Sequence, residues 1–343
     1  MTSLQKFNLS NISFSGLSFN FLSLFFLFII LSSIVVSYIV SLRPLSFGPD
    51  THEYHFFFFS LLNEIPLRIN DIGFIYLVNF SIFLSEDYRV FFFIIAFMSI
   101  LPKLFILKKF NELSKFNNIK FISLSLFVFS LYFYSPFFFS GITNIVRHYI
   151  SVPLLLLSFF YFNKNKFTSM MLMLMACSLH VTNLAFIPLL LIFRMPNNKI
   201  LIAYIICIVG YGSGFFMFLI SYLSSFFIPG IVSALTSSPD YQSGIRLEFL
   251  FFNLFVFLIS YFIKPISVRY FIQSIYIVLS VPFLLFGFID FSDRLLVPVF
   301  FIVPIVVGYF ICSMKIIPIY RLFFSLASFV FSLFFLISKF DYI

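Results

Sequence analysis

Residues 19–40 read FNFLSLFFLFIILSSIVVSYIV, without a single charge. About 20 consecutive apolar residues cross a bilayer as a helix, so this run spans one. It is too long for the apolar region of a signal peptide, and no small-residue cleavage site follows it, so it reads as a retained span. Working outward, further apolar runs fall at 54–62, 72–85, 88–107, 121–139, 145–162, 167–179, 181–193, 200–220, 247–263, 270–289, 295–312 and 322–338. The whole chain of 343 residues is 62% hydrophobic and 10% charged, with a mean hydropathy of +1.12. A soluble domain carries about 25% charged residues. A soluble enzyme, a disulfide-stapled secreted domain and a disordered chain are thereby excluded. The strict alternation of a membrane β-barrel is absent. The expected fold is an all-α polytopic membrane protein, a single integral domain over 1–343, with about 11–13 hydrophobic segments.

Runs 54–62, 167–179 and 181–193 are too short to span, and 72–85 is marginal. Short apolar runs imply broken or re-entrant helices, tolerated in a membrane only where they line protein or a water cavity. Orientation follows from Lys and Arg, which favour the cytoplasmic side. The linkers 108–120, 163–166, 194–199, 264–269 and 315–321 are basic, and each is separated from the next by two runs. With Lys6 and Lys103 they place 14 basic residues and one acid, Glu112, inside. The other side receives seven basic and eleven acidic residues. Parity then requires 43–87 to begin and end outside, so it is expected to form an outer loop with a re-entrant hairpin. Residues 221–246 form a second long outer loop. The net charge of +9 does not indicate nucleic acid, because the basic residues sit in separate short linkers. Cys177, Cys207 and Cys312 lie within apolar runs, without paired or metal spacing.

The outer side is chemically distinctive. Its cations are Arg apart from Lys339, and all four His fall outside or at outer helix ends. Arg binds phosphate oxygens bidentately and stays charged. Arg147, Arg246 and Arg294 each stand at the outer edge of a different span, where an unused charge is expensive. Gly48-Pro49-Asp50-Thr51-His52-Glu53-Tyr54-His55 follows the first span, and its acids and His raise divalent metal as an alternative to an ordered loop with one functional carboxylate. Asn144 and Thr143 read as N-caps of a helix opening at Arg147-His148. A cation in that first turn opposes the helix dipole unless an anion sits there too. His180 lies between two short runs, at a membrane surface or at the break of a discontinuous helix pair. Tyr241, Asp240, Gln242 and Ser243 are residue types that bind sugars, and Asp290 and Asp293 flank Arg294 in a tight turn.

These pieces, in this order, resemble the Wzy-like polysaccharide polymerases, in particular the EpsG-type branch. The matching elements are Gly48-Pro49-Asp50 with Tyr54, Ile72-Gly73-Phe74, Asn144-Ile145-Val146-Arg147-His148, Ala176 to His180 with Val181-Thr182-Asn183, and Asp293-Arg294. Two departures stand out. His148 occupies a position where the family often has Gln, and Asp71-Ile72-Gly73-Phe74 replaces a Glu before Gly-Tyr, leaving Asp71 or Glu64 to supply that carboxylate.

The resemblance implies a fold like that of membrane glycosyltransferases using lipid-linked donors, with a large outer cavity. It implies a polymerase of the bacterial inner membrane, N-terminus cytoplasmic and active face periplasmic. Such an enzyme moves a growing glycan from one undecaprenyl diphosphate to the distal sugar of another lipid-linked repeat unit. A flippase, a chain-length regulator and a ligase are implied as partners. Charge building on the leaving diphosphate calls for fixed Arg side chains, and the acceptor hydroxyl needs a base. Arg147, Arg294, His180 and Asp50 are the expected catalytic residues. Arg246, Tyr241, Asp240, Asn144, His148, Asp293 and Arg68 are expected to hold substrate. No cofactor or metal is required, since Arg neutralises the charge. A carrier of lipid-linked glycans and a related sugar transferase or O-antigen ligase are the alternatives, although no internal repeat of the kind carriers show is evident.

Overall fold

The computed structural model describes residues 17–48, 50–65, 71–227, 244–289 and 292–340. These fold as helices. In chain order they are α1 (Leu17–Ser41), α2 (Thr51–Leu62), α3 (Ile72–Leu84), α4 (Tyr88–Ser114), α5 (Asn118–Tyr134), α6 (Pro136–Thr143), α7 (Val146–Phe162) and α8 (Lys166–Leu179). After a 3-10 turn at Val181–Phe186 come α9 (Leu189–Ile192), α10 (Asn197–Gly212), α11 (Phe215–Phe227), α12 (Leu247–Ser260), α13 (Ile266–Phe286), α14 (Val297–Ser313) and α15 (Pro318–Phe340). Five helical segments, in α1, α4, α13, α14 with the 3-10 turn before it, and α15, are long and apolar enough to cross a bilayer. Two bent pairs, α5–α6 at 69° and α10–α11 at 80°, raise the number to seven if each pair is one span. The protein is a polytopic helical membrane protein.

Helix is the form in which a chain in lipid satisfies its own backbone. The many serines within the spans conform to this by bonding back to the preceding turn. Ser33, Ser99 and Ser130 donate to the carbonyls of Ile29, Ile95 and Leu126 at 2.7, 2.8 and 2.7 Å. Where helices start, short polar side chains take over. Asp87, Asn117 and Asn165 accept from the N–H groups of Arg89, Lys120 and Thr168 and cap α4, α5 and α8. Lys115, in the left-handed region at φ 52°, ends α4.

Several sequence boundaries move. The apolar run 121–139 is bent at Ser135-Pro136 into α5 and α6, where Pro at the first helical position restarts the helix. Helix α4 continues past its apolar run to Ser114 and carries Lys108 and Lys109 with it. Lys103, counted with the inner charges but outside the basic linkers, has an unusual setting. It lies within α4 and is wholly buried. A window that averages hydropathy cannot distinguish a lysine near a span's end from one enclosed by other helices.

Helices α1 and α4 pack together, as do α5 and α15, α7 and α8, and α10 and α13. The central α13 is 78% buried over its span window, whereas α15 is 22% buried and turns Phe323, Phe331 and Phe334 outward. Short helices α2 and α3, of 12 and 13 residues, pack against the first turns of α4 and α7 through Phe57, Phe58, Phe74, Phe91 and Val146. At about 1.5 Å per residue neither reaches the ~30 Å of a bilayer core. The basic linkers gather at one end. Lys164 lies 3.6 Å from Glu112, the Ser267 hydroxyl donates to the Leu113 carbonyl, and the Lys264 N–H donates to Ser313 Oγ. The start of α2, the α6–α7 junction, the end of α8 and the turn leading into α14 meet elsewhere, around a polar cleft.

Candidate functional site

The cleft is lined by Asp50, Tyr54, Asn144, Ile145, Arg147, His148, His180 and Arg294. Its walls are helix ends and breaks, which place polar side chains inside an apolar bundle. Asp50 sits at the N-cap of α2. Arg147 and His148 open α7. His180 is the extended residue, φ −156° and ψ 117°, that terminates α8. Arg294 lies in a 3-10 turn leading into α14.

The break at His180 has a local cause. Asn183 is wholly buried, and its amide donates to the Ala176 carbonyl at 2.8 Å and to Ser151 Oγ at 2.7 Å. It thereby replaces helix continuation with a side-chain staple between α7 and the 3-10 turn. The sequence Ala176 to Asn183 is thus a built corner, and His180 is its buried vertex, lining the cleft.

Asp71 organises the charges. It precedes α3 but makes no cap hydrogen bond, so its carboxylate is free for longer-range partners. Oδ2 accepts from Arg147 Nη1 at 2.8 Å and meets His180 Nδ1 at 3.3 Å, while Oδ1 accepts from the Val181 N–H at 2.9 Å. Burial pushes the Asp71 carboxyl up, but the hydrogen bonds from His180 and Val181 and the charges of His180 and Arg147 outweigh it, and the net shift is downward. An ionised carboxylate only accepts, so the nitrogen facing it must donate. In the neutral ring Nδ1 carries the proton and Nε2 the lone pair. Nε2 of His180 is buried with no partner among the described residues. The His148 ring stands 4.8 Å from the His180 ring, and both its nitrogens are likewise buried without partners among the described residues.

Asp50 is shifted the other way. Burial raises its carboxyl, Glu53 adds to the rise, and Arg294 and Arg147 partly oppose it. Tyr54 donates to the Asn144 carbonyl at 2.9 Å and ties α2 to the α6–α7 junction. Asn144 Oδ1 packs so closely on Gly48 that a Cβ there would lie 2.6 Å from it. Gly48 also has φ +79°, so the position requires glycine on both counts.

Of the residues singled out in the sequence, Asp50, Asn144, Arg147, His148, His180 and Arg294 share this cleft. Arg246 does not line it. At the start of α12 it pairs with Glu248 at 2.7 Å and lies 4.2 Å over the Phe249 ring. Arg68, Asp240 and Tyr241 lie outside the described residues, as does the side chain of Asp293. Asn144 and Thr143 are not N-caps of α7. They end α6, and Ile145 occupies the cap position. The cation in the first turn of α7 is balanced by Asp71 across 76 residues of sequence, which the helix-dipole argument alone could not foresee. Of Asp71 and Glu64, Asp71 takes the buried position, while Glu64 is exposed at the end of α2. No group of three or more His, Cys, Asp or Glu is placed to hold a metal among the described residues.

Sequence reading passed over Arg43. It is 1% exposed, donates from Nη1 to the Ile142 carbonyl at 2.9 Å, and stacks 4.0 Å over Phe92. Its signal was position alone, a cation two residues past the end of the first span.

Fold and site together define a polytopic membrane protein with an Arg-, His- and carboxylate-lined cleft at the helix breaks. The chain belongs to the EpsG family, whose family model matches residues 7–342. No curated protein and no solved structure matches it. Family membership points to a polysaccharide-polymerase-like, glycosyltransferase-like function.

Proposed function

We propose that this protein polymerises undecaprenyl-diphosphate-linked oligosaccharide repeat units in the bacterial inner membrane, with the cleft opening to the periplasm. The observation that carries the reading is the Asp71–His180 pair beside Arg147, with an unpartnered Nε2 in a cleft that Arg294 also lines. The positive-inside rule, applied to the basic end of the bundle, supports the orientation.

In the reaction the bond between the donor sugar's anomeric carbon and the diphosphate oxygen breaks. A new bond forms from that carbon to an acceptor hydroxyl oxygen. The electron pair leaves with the diphosphate, where Arg147 and Arg294 stabilise the growing charge. The hydroxyl proton passes to His180 Nε2, and Asp71 holds the resulting imidazolium. Asp71 acts through His180 and is a positioning residue. Asp50, His148 and Asn144 hold sugar and phosphate groups.

The test is a gel of surface polysaccharide from a strain lacking the gene, complemented with wild type or Arg147→Ala at matched protein level. Loss of the long-chain ladder with single units retained, restored by wild type only, is the expected result. Disappearance of surface units with accumulation of lipid-linked precursor would replace the polymerase by an exporter. Unchanged chain length with Arg147→Ala would remove Arg147 from the mechanism.

A further inference from the structure

Lys103 does not line the cleft, and the reaction above leaves it unused. It is wholly buried on α4, one residue after Pro102, whose missing N–H loosens that turn. Its ammonium donates to the Ser99 carbonyl. Around it stand the rings of Tyr132, Phe138, Tyr149 and Phe301, with centroids 4.7, 5.0, 4.7 and 4.8 Å from Nζ. No carboxylate pairs with it among the described residues.

An unpaired buried charge is among the most costly groups a membrane fold can carry, and its retention points to use. Ring faces are electrically negative, so such a box favours an ammonium over a neutral amine. The rings come from α5, α6, α7 and α14. Three of these elements also carry the cleft. Asn144 follows the end of helix α6, Arg147 and His148 lie in the first turn of α7, and α14 follows the turn that holds Arg294. Tyr149, which touches the ammonium, lies two residues beyond Arg147, ~3 Å of helix rise. The charge therefore sits on the order of 10 Å from the cleft.

Resting on the reading of the cleft as an anion site, we propose that Lys103 is that site's buried fixed charge. The aromatic box holds a positive charge that no carboxylate among the described residues neutralises, so its field is available to a phosphate or diphosphate in the cleft. Lys103 touches no ligand and acts on it at a distance. Over about 10 Å, with an effective dielectric near 20, one charge changes affinity roughly tenfold per unit of ligand charge.

The experiment measures binding of geranylgeranyl diphosphate, its monophosphate and geranylgeraniol to the full chain in nanodiscs. Wild type, Lys103→Met, Lys103→Gln and Lys103→Arg are compared, each with its thermal midpoint. Wild type is expected to bind diphosphate more tightly than monophosphate, and monophosphate more tightly than the alcohol. Met fills the box without charge and is expected to keep or raise the midpoint. It should nevertheless weaken diphosphate binding roughly a hundredfold and monophosphate less, leaving the alcohol unchanged. Gln, which still donates to Ser99, should show the same pattern and serves if Met does not fold. Arg should retain most of the affinity. Equal diphosphate affinity in wild type and the neutral variants would overturn the proposal while leaving the anion site standing. Equal losses for diphosphate and alcohol, with a lower midpoint, would reduce Lys103 to packing. If wild type shows no preference for diphosphate over the alcohol, the anion site falls, and the proposal with it.

Discussion

Replacing Asp71 by Asn tests how the cleft is organised. The change is nearly isosteric, so it alters proton positions more than packing. Asn keeps one carbonyl oxygen, which can still accept from the Val181 N–H. Its NH2 then faces Arg147 Nη1 and His180 Nδ1, and it can only donate. The Arg147 bond is lost, and His180 must turn Nδ1 into an acceptor. That moves the ring proton to Nε2, the wrong tautomer for a base aimed at the cleft. Each hydrogen bond to a charged group is worth about 1.5–3 kcal/mol. The Arg147 side chain is 32% exposed, so its bond counts at the low end. A stability loss of about 2–4 kcal/mol is expected. The same change in a Ser-His-Asp triad lowers turnover about 10⁴-fold through the tautomer, and a loss of ~10²–10⁴ is expected here by the same mechanism. The assay is polymer formed per unit of folded protein, beside the thermal midpoint. Arg147→Ala and the double variant complete a cycle, and the two single effects should be far from additive. Wild-type polymer output from Asp71→Asn at equal protein level would refute the argument, because no working base could then depend on that carboxylate.

Other expectations follow from the same geometry. Asp71 is held below its usual range, so its contribution to stability is complete above about pH 4, its unfolded value, and lost as the pH falls through the lower folded value. Thermal midpoints of wild type should drop on that acid limb, and Asp71→Asn should flatten it. Asp50 is shifted upward by burial, so its ionisation opposes folding, and Asp50→Asn should raise the midpoint at pH 8 while lowering polymer output. At Gly73 a Cβ would come within 2.4 Å of Ser178 Oγ and 2.9 Å of the Ser178 backbone carbon. Gly73→Ala should therefore cost about 1–3 kcal/mol and much of the activity, with no rescue by Ser178→Ala because the backbone clash remains. Arg246→Ala should reduce polymer output far less than Arg147→Ala, since Arg246 pairs locally with Glu248 away from the cleft.

Much of the site was legible because each of its residues breaks a local pattern. Asp50, Arg147, His180 and Arg294 are polar groups at the edges of apolar runs, where a charge without a role is selected against by desolvation. Such a signal is local, and local reading finds it. It also finds Arg246, which has the same signature but spends its charge on a neighbour two residues away. Asp71 was visible only as one of two interchangeable acids, because its role depends on residues 76 and 109 positions distant.

The sequence by itself determined the helical membrane class, the approximate spans and the helix break at His180. Transfer of apolar residues to lipid is additive along a segment, and backbone satisfaction in lipid leaves helix as the form of each span. Tertiary packing decided which broken ends meet, that Asp71 fixes the His180 tautomer, and that Lys103 is enclosed by rings from four other helices. Those outcomes depend on side chains brought together across the bundle, and an average taken along the chain contains no information about them.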